Sequence, residues 1–205
     1  MNEPIDPALA EQTLPIYERH ARAWDAHRPK VLFESGWLTR TLEGVPKGLG
    51  VLDVGCGAGD PIARFFIERG RAVHGVDFAA PMLEICRERF PEQRWTHADM
   101  RTLDLGETYG VVVAWDSFFH LTRDEQRGCL PRLARHVAPG GALLFTCGPE
   151  DGEVTGVVEG DTVYHASLAP EEYRGLLEAE DLRVDAFVEE DPDCGHHTLC
   201  LARRG

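Results

Sequence analysis

The sequence predicts a doubly wound α/β sheet with helices on both faces, and three observations predict it. From residue 50 onward, short apolar runs alternate with stretches of helical periodicity. A glycine-rich turn, Gly55-Cys56-Gly57-Ala58-Gly59, follows the first of those runs directly. The run Val111 to Trp115 is apolar without alternation, as expected for a strand covered on both faces. In such a sheet a ligand sits at the carboxyl ends of the strands. Attention therefore falls on residues 53–60, 77–78, 99–101 and 115–120.

Ahead of the sheet, Ile16 to His27 carries Tyr17 and Trp24 seven positions apart, on one helical face. Pro29 disfavours its continuation. Val31 to Leu42 reads as a second helix, and Gly44 to Gly48 as a linker. Val51 to Val54 is the first strand. The helix after the glycine turn has Pro61 in its first turn and Gly70 as its stop. Ala72 to Val76 is the second strand, Pro81 opens the next helix, and Arg94 to His97 is the third strand. Thr122 and Glu125 form a capping box for a helix that Gly128 and Pro131 should bend or interrupt. Ala138-Pro139-Gly140-Gly141 reads as a turn before a fifth strand, Ala142 to Thr146. A hairpin over Val154 to Ala166, a helix over Pro170 to Glu180 and closing strands at Leu182 to Val188 and Thr198 to Ala202 complete the chain. The expected organisation is one domain of residues 1–205. It comprises an N-terminal helical cap (1–47), a core (48–149) and a C-terminal hairpin, helix and closing strands (150–205).

Composition narrows the function. The chain has 205 residues, 43% of them hydrophobic, and its formal net charge is −14. A domain of this length buries roughly 70% of its extended-chain surface, enough for a full core. The acidic balance argues against nucleic acid and anionic membrane surfaces as partners, because both recruit Lys and Arg. No apolar run approaches ~20 residues. Met1 to Asp6 lacks the basic and apolar stretches of a secretory signal. The six cysteines form no CxxC pair, which suits reduced thiols and a cytoplasmic location. Cys194-Gly195-His196-His197 lacks a second half with zinc-site spacing, so no metal site is expected.

The segment Asp53-Val54-Gly55-Cys56-Gly57-Ala58-Gly59-Asp60 is the most specific feature. Its glycines allow a tight turn and close backbone approach. A dinucleotide fingerprint would place its third glycine at position 60, where Asp60 stands. Two carboxylates, Asp53 and Asp60, flank the turn and would repel a pyrophosphate, whereas a cationic nucleoside suits it. Asp77, closing the second strand, is placed to accept hydrogen bonds from both ribose hydroxyls. Phe78 offers a flat surface beside a base. Asp99 can accept from an exocyclic amine, and the Met100 thioether can pack on a purine.

With these residues in view, the sequence resembles the class I S-adenosylmethionine-dependent methyltransferases. VLDVGCGAG, VHGVDFAAPML, HADMRTLDL and LARHVAPGGALLF are similar to four of the family's motifs, in order and at the right intervals. The resemblance implies a Rossmann-like sheet of about seven strands, mostly parallel with an antiparallel closing strand, and S-adenosylmethionine as cofactor. It also implies residue roles. Gly55, Cys56 and Gly57 would line the amino-acid end of the cofactor, with Asp53 near its ammonium group. Asp77 would bind the ribose, Asp99 the adenine amine, and Met100 and Phe78 would sandwich the ring. Trp115 and Asp116 would face the methionine moiety and the acceptor. An aromatic of the N-terminal segment, Tyr17 first and Trp24 second, would close over the cofactor.

Methyl transfer from a sulfonium is an in-line displacement, so orientation and exclusion of water are the main work. Asp116-Ser117-Phe118-Phe119-His120 lies where the acceptor approaches. His120 is the first candidate for a base or polar contact and His165 the second, with Phe118 and Phe119 as an apolar wall. Trp115-Asp116-Ser117-Phe118 does not resemble the motif of adenine-N6 and cytosine-N4 methyltransferases. Neither the Pro-Cys nucleophile motif of cytosine-C5 enzymes nor the paired-glutamate loop of arginine methyltransferases is present. A small-molecule acceptor methylated on O or N is what remains. The other readings are a non-catalytic S-adenosylmethionine-binding or regulatory protein and an NAD-dependent oxidoreductase. The latter is opposed by Asp60 and by the lack of a Tyr-x-x-x-Lys pair.

Overall fold

A computed structural model describes residues 5, 6 and 8–205. The reading of the N-terminus as no secretory signal rests largely on Met1 to Pro4, outside the described residues. Among the described residues the strands are β1 (Val51–Val54), β2 (Val73–Asp77), β3 (Arg94–His97), β4 (Tyr109–Ala114), β5 (Val137–Cys147), β6 (Gly152–Val158), β7 (Asp161–Ser167), β8 (Leu182–Asp191) and β9 (His197–Arg204). The α-helices are α1 (Ala8–Glu11), α2 (Thr13–His27), α3 (Ser35–Thr41), α4 (Ile62–Glu68), α5 (Ala80–Arg89), α6 (Arg123–Arg135) and α7 (Pro170–Glu178).

Seven strands form one sheet in the order β3-β2-β1-β4-β5-β9-β8. The first five are parallel, and β9 pairs antiparallel with both β5 and β8. This is the Rossmann-like sheet with an antiparallel end. The β6–β7 hairpin stands apart as a two-stranded ribbon. Chain order reverses between β1 and β4, opening the crevice where ligands bind in such sheets.

Successive residues of the buried strands feed opposite cores. Leu52, Val112, Leu143 and Phe145 pack with Leu130 and Leu133 of α6 and with Tyr173 of α7. Val51, Val111, Val113 and Leu144 pack with Leu38 of α3, Phe65 and Phe66 of α4 and Leu83 of α5. Burial on both faces explains why Val111 to Ala114 shows no alternation.

Two local expectations are corrected, and a third is narrowed. The second helix spans only Ser35–Thr41, because Arg28 to Phe33 run irregularly after Pro29. Ala138 to Gly141 is no turn: β5 runs through it, with Gly140 at φ +71° and a register shift opposite Tyr109 and Val111 absorbing the irregularity. Pro131 does not interrupt α6, whose buried Cys129, Leu130, Leu133 and Ala134 hold it against the sheet. Its capping box is as expected: Thr122 accepts from Glu125 N–H, and Glu125 accepts from Thr122 N–H.

The helix α2 lies over the carboxyl ends of the strands. Ala21 packs beside Met82 and Ile85 of α5, and Ile16 beside Val158 and Val163 of the hairpin. Among the described residues no helix is long and apolar enough to cross a membrane. All six cysteines are buried and free.

Candidate functional site

Two adjoining clefts open at the carboxyl ends of β1, β2 and β4. Phe78, Ser117 and His120 line both, so together they form one trough. Tyr17, Asp53, Gly55, Cys56, Gly57, Asp77, Phe78, Trp115, Asp116, Ser117 and His120, all expected at the site, line the first. Asp99 and Met100 line the second.

The glycine loop is shaped by backbone requirements. Gly55 stands at φ +72°, and a Cβ there would lie 2.2 Å from Cβ of Ser117. Its N–H donates to Val76 O at 2.7 Å, fastening the loop to β2. Gly57, at φ +51°, donates to Oδ2 of Asp77 at 2.8 Å, while Ala79 N–H donates to Oδ1 at 2.8 Å. Each Asp77 oxygen keeps a further lone pair. Cys56 contributes backbone to the cavity, because its thiol turns toward Trp95 beneath the loop.

Two carboxyls are buried in this wall without an ion-pair partner among the described residues. Asp53 is 1% exposed and its Oδ2 has no hydrogen-bond partner. Burial, with the charge of Asp77 nearby, pushes it up to about 7. Asp77 is raised to about 6 by burial, against the pull of its backbone N–H donors. Both groups therefore await positive charge or additional donors. Asp60, across the loop, is already paired with Arg64 at 3.0 Å.

On the second side, Asp99 is committed to Arg101, whose backbone N–H and guanidinium both donate to it and hold its carboxyl below the usual range. Arg101 also reaches Glu125 at 2.8 Å. Met100 is buried, its methyl near Gly55.

The opposite wall is assembled from distant segments. The Tyr17 hydroxyl lies 2.9 Å from Nε2 of His120, and Nδ1 of His120 lies 3.1 Å from Tyr164 O. A carbonyl only accepts, so Nδ1 carries the hydrogen and Nε2 presents a lone pair. Burial, reinforced by His165, lowers His120 to about 4, so the ring is neutral at pH 7. Burial pushes the Tyr17 hydroxyl far above its ordinary value. Trp24 packs edge-on against Tyr17 at 5.6 Å. Trp115 is 3% exposed, and its Nε1–H lacks a partner. The Ser117 hydroxyl donates to Val54 O at 2.8 Å.

Two expected acceptor contacts fall elsewhere. Phe118 is fully buried against Phe145 and Tyr173, because the short 3-10 turn at Phe118–His120 directs it into the core and His120 toward the cavity. His165 sits on β7 behind His120, ring centres 4.9 Å apart, and contacts Phe119 rather than lining either cavity.

Sequence reasoning missed Arg28 and Asp25. Asp25 is held by Arg89 at 2.7 Å and Lys30 at 2.9 Å. The Arg28 guanidinium lines the first cavity, with only long contacts to Glu34 at 3.5 Å and Asp116 at 3.6 Å. No periodicity marked it, since Arg28 lies just beyond the C-terminus of α2 in a non-helical conformation. Among the described residues no group of three or more His, Cys, Asp or Glu is arranged to hold a metal.

A family profile described as "Methyltransferase domain" matches residues 51–141. The chain is 32% identical over 153 residues to a dTDP-4-amino-2,3,4,6-tetradeoxy-D-glucose N,N-dimethyltransferase of Saccharopolyspora spinosa, covering 73% of this chain and 59% of that protein. It is 34% identical over 96 residues to a malonyl-[acyl-carrier protein] O-methyltransferase of Salmonella typhimurium, covering 47% and 38%. The chain thus spans less than two thirds of either relative's length. Among solved structures it is similar to the S-adenosylmethionine-bound amino pentose methyltransferase of calicheamicin biosynthesis from Micromonospora echinaspora. The TM-score is 0.72 with 22% identity, over 100% of this chain and 99% of that one. That likeness speaks to the fold.

Proposed function

From membership of the class I S-adenosylmethionine-dependent methyltransferase family, to which the chain belongs, we propose that the trough binds S-adenosylmethionine and directs methyl transfer to a small-molecule amine. The observation carrying this reading is the pair of buried, cation-free carboxyls Asp53 and Asp77 beside the glycine loop. A sulfonium nucleoside fits them, supplying positive charge to one and hydroxyl donors to the other. A pyrophosphate would be repelled.

S-adenosylmethionine, when bound, supplies a methyl group already activated on sulfur. Asp53 holds the ammonium group, and Arg28, with most of its donors unused, is the cavity's partner for the carboxylate. Asp77 accepts from the ribose hydroxyls with its free lone pairs. Phe78 and Met100 flank the adenine, and Asp99 accepts from its amine on the lone pairs Arg101 leaves free. Tyr17 and Trp24 exclude water from above.

His120 accepts the Tyr17 hydroxyl on its one lone pair and so fixes that hydroxyl, whose own lone pairs orient the nucleophile. An imidazole with a pKa near 4 is too weak a base to ionise an alcohol. An amine needs no such help once neutral. A carboxylate acceptor would meet the carboxylates of the same cavity, Asp116 among them. An amine is the class that remains, in keeping with the name of the Saccharopolyspora relative.

The test is incubation with S-adenosylmethionine and a panel of free aminosugars, nucleotide-linked aminosugars, simple amines, phenols and carboxylic acids. S-adenosylhomocysteine release and methylated product are read by mass spectrometry. Turnover confined to amines supports the proposal; turnover of phenols or acids alone overturns the acceptor class. Calorimetry with S-adenosylhomocysteine is run alongside. Asp77→Ala should weaken binding by about 1–3 kcal/mol, and unchanged affinity would remove Asp77 from the site.

A further inference from the structure

The cluster Cys194-Gly195-His196-His197 forms no metal site among the described residues, yet it sets one ring against Asp116, which lines the trough. His197 Nδ1 lies 2.8 Å from Cys194 O, and Nε2 lies 2.9 Å from Oδ1 of Asp116. A carbonyl and a carboxylate both accept, so both ring nitrogens donate and the ring is an imidazolium. Stacking on Phe33 at 5.5 Å and contact with Trp115 at 5.4 Å hold its plane.

Asp116 occupies an unusual position. It lies just after β4 at φ +49°, a left-handed conformation that few non-glycine residues adopt. Two contacts impose that geometry: Thr146 Oγ1 accepts from its N–H at 2.9 Å, and His197 grips Oδ1. Strain held in this way by its surroundings concentrates at functional positions. Oδ1 being occupied, Oδ2 is the oxygen left toward Arg28, at 3.6 Å, in the cavity lining.

We infer that His197 is a positioning residue, which as an imidazolium fixes the Asp116 carboxylate so that one oxygen faces the methyl acceptor. Its functional half rests on the proposed transfer to an amine; its structural half does not. The charged and titratable groups around His197 are consistent with it. Asp116 and the buried Glu34 at the start of α3 favour the charged ring, as does the Cys194 carbonyl. Arg28 faces Asp116 and Glu34. Asp191, paired with His197 across β8 and β9, is turned away to Trp37 Nε1 and Asp193 N–H. Burial opposes the charge, and the Asp116 contacts outweigh it, so His197 lies above its ordinary value. The pair is therefore complete below that raised pKa and dissolves as pH rises through it.

The experiment uses the full chain and two readouts. The first is the nitrogen spectrum of the histidine rings, in the wild type and in Asp116→Asn. We expect His197 doubly protonated at pH 7 in the wild type and titrating at lower pH in the variant. The second is steady-state kinetics of His197→Phe and His197→Gln with the best amine of the panel, beside S-adenosylhomocysteine affinity. Phe should raise the acceptor KM about tenfold with kcat within about threefold. Gln, which keeps one N–H for Asp116, should recover part of that loss. Cofactor affinity should stay within about twofold. A singly protonated wild-type ring, or a titration unmoved by Asp116→Asn, overturns the inference. So does an unchanged acceptor KM, or cofactor affinity falling in step with it, which marks mere structural damage. If the wild type methylates no amine, the proposed function fails, and the spectrum still decides whether the His197–Asp116 pair exists.

Discussion

The two walls of the trough are built on different principles. The glycine-loop wall comes from neighbouring strand ends, β1 and β2, and owes its shape to backbone: Gly55 and Gly57 at positive φ, and N–H groups given to Val76 O and Asp77. The opposite wall is side chains meeting across long sequence separations. Tyr17 reaches His120 over 103 positions, and His197 reaches Asp116 over 81. The first wall is fastened by backbone contacts within one sheet. The second depends on α2, the hairpin and the C-terminal strands docking together.

Substitutions can break this comparison, and the largest effect should come from a residue that belongs to neither wall. Phe118→Ala empties a site packed against Phe145 and Tyr173 and should cost about 3–5 kcal/mol of stability. Denaturant unfolding measures it. A near-neutral result would return Phe118 to the cavity. Gly55→Ala comes next. Its Cβ would collide with Ser117 in a left-handed backbone, for about 3 kcal/mol of strain, with loss of S-adenosylhomocysteine binding in calorimetry.

A pH titration sharpens the contrast at intermediate magnitude. Burial raises Asp53 to about 7 and Asp77 to about 6, above the ~4 of an unfolded chain. The native state therefore binds more protons than the unfolded one between those values. These two carboxyls then stabilise the fold as pH falls from 7 toward 4. A cationic ligand needs them ionised, so its affinity should move the other way. Expected is a loss of S-adenosylmethionine affinity below pH 7, up to about tenfold per pH unit, flattened in Asp53→Asn. Calorimetry across pH 5 to 8 checks both; a flat wild-type profile would detach Asp53 from the ammonium group. The smallest effect belongs to Tyr17→Phe, which deletes one hydroxyl contact to His120 worth about 1 kcal/mol. Turnover should fall several-fold with cofactor affinity nearly unchanged.

The sequence by itself determined the alternation of strands and helices and the crevice at the strand ends, and it named the residues of the glycine-loop wall. These follow from local rules: apolar period, glycine at positive φ, and carboxylates at or near the ends of β1 and β2. It misjudged elements where packing overrules local preference. β5 continues through Pro139-Gly140-Gly141, where a turn was expected. It could not separate Phe118 from His120, because a single 3-10 turn decides which faces the core. Only the tertiary structure brought Arg28 to the trough, set His165 behind His120, and turned His197 onto Asp116. These side chains are joined by contacts no periodicity records, since each depends on where a distant helix or strand comes to rest on the sheet.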